Sequence, residues 1–202
     1  TYLTLLGKEF YVLDAGNTSA TNQQVTLLDS AGSGTVSEGE TVTVESSAKS
    51  YTVTPVFIGS SEVVLNINGE ETNSLSEQET QKLKDGSYIG IKDIRVQDYQ
   101  GGSKQVEFSI GSGKIKLENG QQVEVNGDNI NTVSEYEVYS YFDMGSEGKV
   151  DKIYLEWYAD EDAWVAPGSS VTMPGFDAIM LSMTEFVTPA QEMTSIEPDG
   201  DD

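Results

Sequence analysis

Apolar side chains recur at every second position through most of this chain. Val42 and Val44 alternate with polar residues, as do Val63, Leu65 and Ile67. Val106, Phe108 and Ile110 repeat the pattern, followed by Ile115 and Leu117, then Val123 and Val125. Later runs are Tyr136, Val138 and Ser140; Ile153, Leu155 and Trp157; and Ile179, Leu181 and Met183. A period of two puts alternate side chains on opposite faces of an extended strand, so each run can cover a core with one face only. Thr1 to Val12 also reads as strand. Turn chemistry separates the runs: Asn68-Gly69, Asp85-Gly86, Asn119-Gly120 and Asn126-Gly127 tolerate the positive φ that tight hairpins require, and Gly101-Gly102 divides another pair of strands. Only Leu75–Leu83 has any helical character, and its apolar positions are too sparse for an amphipathic helix, so it reads as a loop or single turn. The expected fold is all-β, with antiparallel β-sandwich-like modules.

At 202 residues the chain holds one large domain or two small ones. Glu118–Thr132, rich in Asn, Gln and Gly, separates short polar segments from the aromatic-rich stretches Tyr136–Phe142 and Lys152–Trp164. Two modules are therefore expected, over 1–120 and 121–196. Residues 197–202 form an acidic tail or linker with no apolar side chain. The strand-like start favours a fragment of a longer chain.

The chemistry is narrowed by what the sequence lacks. Cys and His are both 0. This removes disulfides, cysteine and histidine catalysis, and the usual ligands of zinc, haem and iron–sulfur centres. With 11 Lys+Arg against 34 Asp+Glu, the formal net charge is −23. Such a chain repels a nucleic-acid backbone and an anionic membrane surface. The apolar run Ala178-Ile179-Met180-Leu181 is too short to span a bilayer. Gly32-Ser33-Gly34 and Gly111-Ser112-Gly113 lack the flanks of a nucleophile elbow, and no phosphate-binding loop is present. No catalytic residue is assigned.

Several phrases in order resemble the S-layer and S-layer-like surface proteins of archaea. They are Leu5-Leu6-Gly7-Lys8-Glu9-Phe10-Tyr11-Val12-Leu13-Asp14, Tyr51-Thr52-Val53-Thr54-Pro55-Val56-Phe57-Ile58-Gly59 and Val64-Leu65-Asn66-Ile67-Asn68-Gly69-Glu70. Leu83-Lys84-Asp85-Gly86-Ser87-Tyr88-Ile89-Gly90-Ile91, Val106-Glu107-Phe108-Ser109-Ile110-Gly111 and Met173-Pro174-Gly175-Phe176 complete the set. The resemblance implies a secreted, non-enzymatic component of the cell surface that self-assembles into a lattice through contacts between β domains.

Candidate sites follow from residue type. Asn17-Thr18-Ser19 is a glycosylation sequon, and beside that resemblance Asn17 becomes a glycan acceptor. Asp160, Glu161 and Asp162 form the densest internal acidic cluster, near Asp143, Glu147 and Asp151. The cluster reads either as a solvent-exposed loop or as oxygen ligands for calcium, the one cofactor the sequence suggests. Trp157, Tyr158, Trp164, Tyr136, Tyr139, Tyr141 and Tyr154 are concentrated in one region, which reads as core between two sheets or as a sugar-stacking platform. Tyr139 and Tyr141 face away from Val138 and are the interface candidates. The alternative to a lattice component is an extracellular carbohydrate-binding or adhesion module using Trp157 and Trp164.

Overall fold

The computed structural model describes residues 1–17, 22–29, 31–97, 99, 101–133, 135–145, 149–159, 162, 164–176 and 178–187, with the backbone alone for Asn17 and Val133. It is almost entirely β, and its strand ladders are antiparallel. Among the described residues the one helix is the single turn α1 (Ile130–Val133), outside the segment where the sequence showed helical character.

Two four-stranded sheets form the first sandwich. One runs β4 (Gly32–Ser37), β11 (Lys104–Gly111), β10 (Tyr88–Val96), β9 (Thr80–Lys82). The other runs β5 (Val42–Ser46), β6 (Lys49–Ile58), β7 (Val63–Ile67), β8 (Glu70–Glu71). The inward residues of the alternating runs meet between them: Val53, Leu65, Ile89, Ile91, Phe108 and Ile110 are buried in one cluster.

A second pair of sheets forms the second sandwich. The larger has the order β1 (Tyr2–Leu5), β2 (Lys8–Asn17), β3 (Gln23–Asp29), β12 (Gly113–Glu118), β14 (Glu124–Val125), β15 (Asp128–Asn129). The smaller has β13 (Gln121–Gln122), β16 (Tyr136–Met144), β17 (Val150–Ala159). Phe10, Leu27, Leu117, Val138 and Phe176 are buried between them, so this core takes side chains from both sides of residue 120. A short hairpin, β18 (Ser170–Thr172) and β19 (Met180–Ser182), is a sheet of its own, and the loop between its strands buries Met173 and Phe176 in the second core.

The local turns follow the sequence in part. Asn68-Gly69 and Asn126-Gly127 close the β7–β8 and β14–β15 hairpins with positive φ at both residues. Asp85-Gly86 lies within a wider loop between β9 and β10. Asn119-Gly120 closes no hairpin: it carries the chain from β12 in the larger sheet to β13 in the smaller. Thr1 to Val12 is two strands, turned at Leu6-Gly7 with positive φ at both. Leu75–Leu83 is more ordered than a loop. Leu75 bridges Val63, Thr80–Lys82 pairs with β10, and the two leucines are anchored in the first core.

The two sandwiches meet at a pair of β-bulges. The β2–β3 register shifts between Val12 and Asp14, and the β10–β11 register shifts between Ile91 and Asp93. The residues inside those shifts, Leu13 and Lys92, face each other. Lys92 Nζ donates to the carbonyl of Leu13 at 2.6 Å and reaches that of Val12 at 3.4 Å. The fully buried Leu13 side chain lies where a Cβ on Gly90 would be, 2.6 Å from Leu13 Cδ2. Tyr11, Leu28 and Tyr88 complete this small cluster. Burial first, and then the Glu107 carboxylate that accepts its hydroxyl, pushes Tyr11 up to about 12.

Gly90→Ala is expected to lower unfolding stability by about 1–3 kcal/mol through overpacking at this seam. Lys92→Met leaves the bulge carbonyls without their donor and is expected to cost about 1–3 kcal/mol. Urea unfolding checks both, and midpoints equal to wild type would show that the seam is not holding the sandwiches together.

Candidate functional site

The aromatic region resolves into two faces of one hairpin. Strand β16 pairs with β17, with Tyr141 opposite Tyr154, Tyr139 opposite Glu156 and Glu137 opposite Tyr158. Period-two geometry turns Val138, Ser140 and Phe142 inward, where they are buried. Ile153, Leu155 and Trp157 pack against the same core, and Tyr136 meets Trp157 edge-on with ring centroids 5.7 Å apart. The core reading therefore holds for Tyr136 and Trp157.

The outward face carries Tyr139, Tyr141, Tyr154 and Tyr158. Tyr154 and Tyr158 are 48% and 47% exposed, and Tyr141 is exposed beside them. Tyr139 stands edge-on to Tyr158 at 6.0 Å, a diagonal contact across the two strands. The Tyr158 hydroxyl donates to Glu156. That hydrogen bond, with the carboxylate's charge, pushes the phenol up to about 12. The result is a patterned surface of rings with one locked hydroxyl. Tyr154 and Tyr158 were legible too, because they occupy the even positions that alternate with Ile153, Leu155 and Trp157.

Strand β17 is also an edge. Among the described residues nothing pairs on its far side, and at ten residues it is the longest strand bordering any of the sheets. The other edge strands run from two to six residues. A long open edge offers unpaired backbone donors and acceptors to another strand.

The remaining sequence candidates are not gathered here. Asn17 ends β2, in the larger sheet rather than in the sheet that carries the tyrosine face. Asp160 and Glu161 lie outside the described residues, and Asp162 is exposed. Among the described residues no group of three or more acidic side chains converges as metal ligands. Trp164 is 86% exposed.

One polar cluster had no sequence signal, because its members are distant in the chain. Asp85 accepts from Tyr51 Oη at 2.8 Å, Lys49 Nζ at 3.0 Å, and both the N–H and the hydroxyl of Ser87 at 3.0 and 2.5 Å. Ser46, Ser47 and Ser112 join these residues around a cavity of about 170 Å³. Partial burial pulls the Asp85 carboxyl upward. The hydrogen bonds from Ser87, Tyr51 and Lys49 outweigh it and hold the carboxyl well below the usual range. Lys49 is raised by its bond to Asp85. Tyr51 is raised by burial first, against a lowering contact with Ser87 and with further support from Asp85. Lys49, Tyr51 and Ser87 all donate to the one carboxylate, so the set fastens the start of β6 to the β9–β10 loop.

No family model, curated protein or solved structure matches this chain.

The Asp85 cluster gives a signed pH prediction. A carboxyl whose folded pKa is depressed adds stability above its unfolded value, about 4, and loses it as pH falls toward the folded value. Asp85→Asn is therefore expected to unfold at lower urea than wild type near neutral pH, with the gap narrowing below pH about 4. A gap that stays constant to the acid limit would remove the charge from this role. On the other face, Glu156→Gln is expected to return the Tyr158 titration toward the ordinary phenol value of about 10, read by ultraviolet difference absorbance.

Proposed function

We propose that this chain is a structural, non-catalytic component of an archaeal surface layer, extracellular and exposed at the cell surface, whose modules associate with copies of the same chain. The observation that carries the reading is the outward face of β16–β17: four tyrosines on a sheet whose border is a ten-residue open edge. Tyrosine supplies large contact area with little rotamer entropy to lose, and is enriched at interfaces for that reason. The residue order resembling S-layer proteins supports the same reading, as does the all-β scaffold.

Association has to overcome a net charge of −23 on each copy. Salt screens exposed charges beyond about 10 Å at ordinary ionic strength, and divalent cations such as calcium can bridge carboxylates across a contact. Asn17 is the proposed glycan acceptor. A second reading, an adhesion or carbohydrate-binding module, is favoured by one observation: the Trp164 ring is open to solvent.

Light scattering of the purified chain is expected to show large species that grow with calcium and shrink on chelation. Tyr141→Ser with Tyr154→Ser is expected to reduce them while leaving unfolding stability within about 0.5 kcal/mol, as surface substitutions usually do. A monomer under all salt and calcium conditions that binds a glycan array would put the second reading first.

A further inference from the structure

The second sandwich is incomplete at one border. Six strands form one of its layers and three form the other. The smaller layer stops at β17 while β1 and β2 continue opposite it. The result is an open groove of about 730 Å³. On one wall it exposes Leu3, Leu5 and Val12, which belong to the second core yet are only partly buried. On the other wall are Met144, Val150 and Ile153. The groove thus joins apolar side chains of both layers beside the first residues of β17, Val150–Ile153.

The same chain displays an extended segment of matching character. Ile179, Met180, Leu181, Phe186 and Val187 are all exposed, the last two at 74% and 87%. This is the longest cluster of exposed large apolar residues along the sequence of the described chain. Within its own copy the segment lies toward the opposite end of β17, where Leu181 shares a cavity with Tyr136, Trp157 and Ala159. Charge agrees as well. Glu185 is the one ionised residue between Met180 and Val187, and the groove is lined by Lys149 and Lys152 against a single carboxylate, Asp151.

We propose that this groove receives residues 180–187 of a second copy, which adds as a strand along β17 and covers Leu3, Leu5 and Val12. The inference rests on the assembly reading above and names its partner segment. Strand addition obtains affinity from backbone hydrogen bonds and specificity from alternate side chains, here Leu181, Met183 and Val187 on the face toward the floor, with Glu185 among them. Groove and segment are different surfaces, so a copy that donates its segment still has a free groove, and a third copy can add there.

The chain has no cysteine, which makes pairwise cross-linking clean. Val150→Cys protein and Phe186→Cys protein are mixed under mild oxidation. Both positions are exposed, so neither substitution threatens the fold. A disulfide-linked heterodimer is expected. The same Phe186→Cys protein mixed with Val56→Cys protein, exposed on the other sandwich, is expected to give none. Equal linking in the two mixtures overturns the proposal. So does a chain carrying both Val150→Cys and Phe186→Cys that closes on itself at high dilution, because the occupant is then its own segment. If wild type assembles and the groove pair does not link, the strand insertion fails and the assembly reading survives. A wild-type monomer at every concentration, with no linking, overturns both.

Discussion

Two strands that each carry one residue too many for their partners hold this molecule together. The bulge in β2 leaves Leu13 and its carbonyl outside the ladder, and the bulge in β10 does the same for Lys92. Each solves the other's difficulty. The Lys92 ammonium satisfies the carbonyl that the β2 bulge frees, and Leu13 fills the space that Gly90 leaves beside it. A buried polar group without a partner costs more than a hydrogen bond returns. Either bulge alone would therefore be a defect at the junction. Together they bend two sheets against one another and bring Tyr11 of β2 to Glu107 of β11. Both cores lie on either side of this seam, so the position of every later surface depends on it.

The layers themselves were legible because period two is a local property. Val63, Leu65 and Ile67 announce which face of β7 is inward without reference to any other strand, and β7 is buried in that alternation. Bulges are not local in this sense: Val12-Leu13-Asp14 looks like uninterrupted strand, and only the pairing with β3 shows the extra residue. The same limit explains Asn119-Gly120, whose turn chemistry is right but whose flanking strands belong to different sheets. At the candidate surface, alternation was enough to separate Tyr139 and Tyr141 from Val138. It could not show that β17 has no further neighbour among the described residues. The Asp85 cluster was invisible for a third reason: Asp85-Gly86 reads only as a turn, and Lys49 is 36 positions away.

The few cations explain why the surface stays acidic. Lys8, Lys49, Arg95, Lys104 and Lys116 are held in internal ion pairs. Burial works against the charge on Lys116, but Glu124 and Glu118 outweigh it and its pKa is raised. It ties β12 to β14 within the larger sheet. Most of these pairs are exposed, and such pairs contribute little stability, about 0–1 kcal/mol each. Their larger effect is to use up positive charge that could otherwise meet a second acidic molecule. On the outward face of β16–β17 the four rings sit among Glu137, Asp143, Glu156 and Lys152, so part of that surface is free of charge where an acidic loop is not.

A ten-residue edge strand is ordinarily a hazard, and the other borders of these sheets avoid it by being short. Strand β17 does not avoid it. Its protection is of another kind: Asp151, Lys152 and Glu156 set both signs of charge along it, and Glu156 is further engaged by the Tyr158 hydroxyl. An arbitrary strand pairing here places some of its side chains against a like charge or an apolar wall, and a one-residue slip inverts every face. An edge marked in this way is open to pairing but selective about register, which is the combination that a repeating contact requires and that aggregation does not.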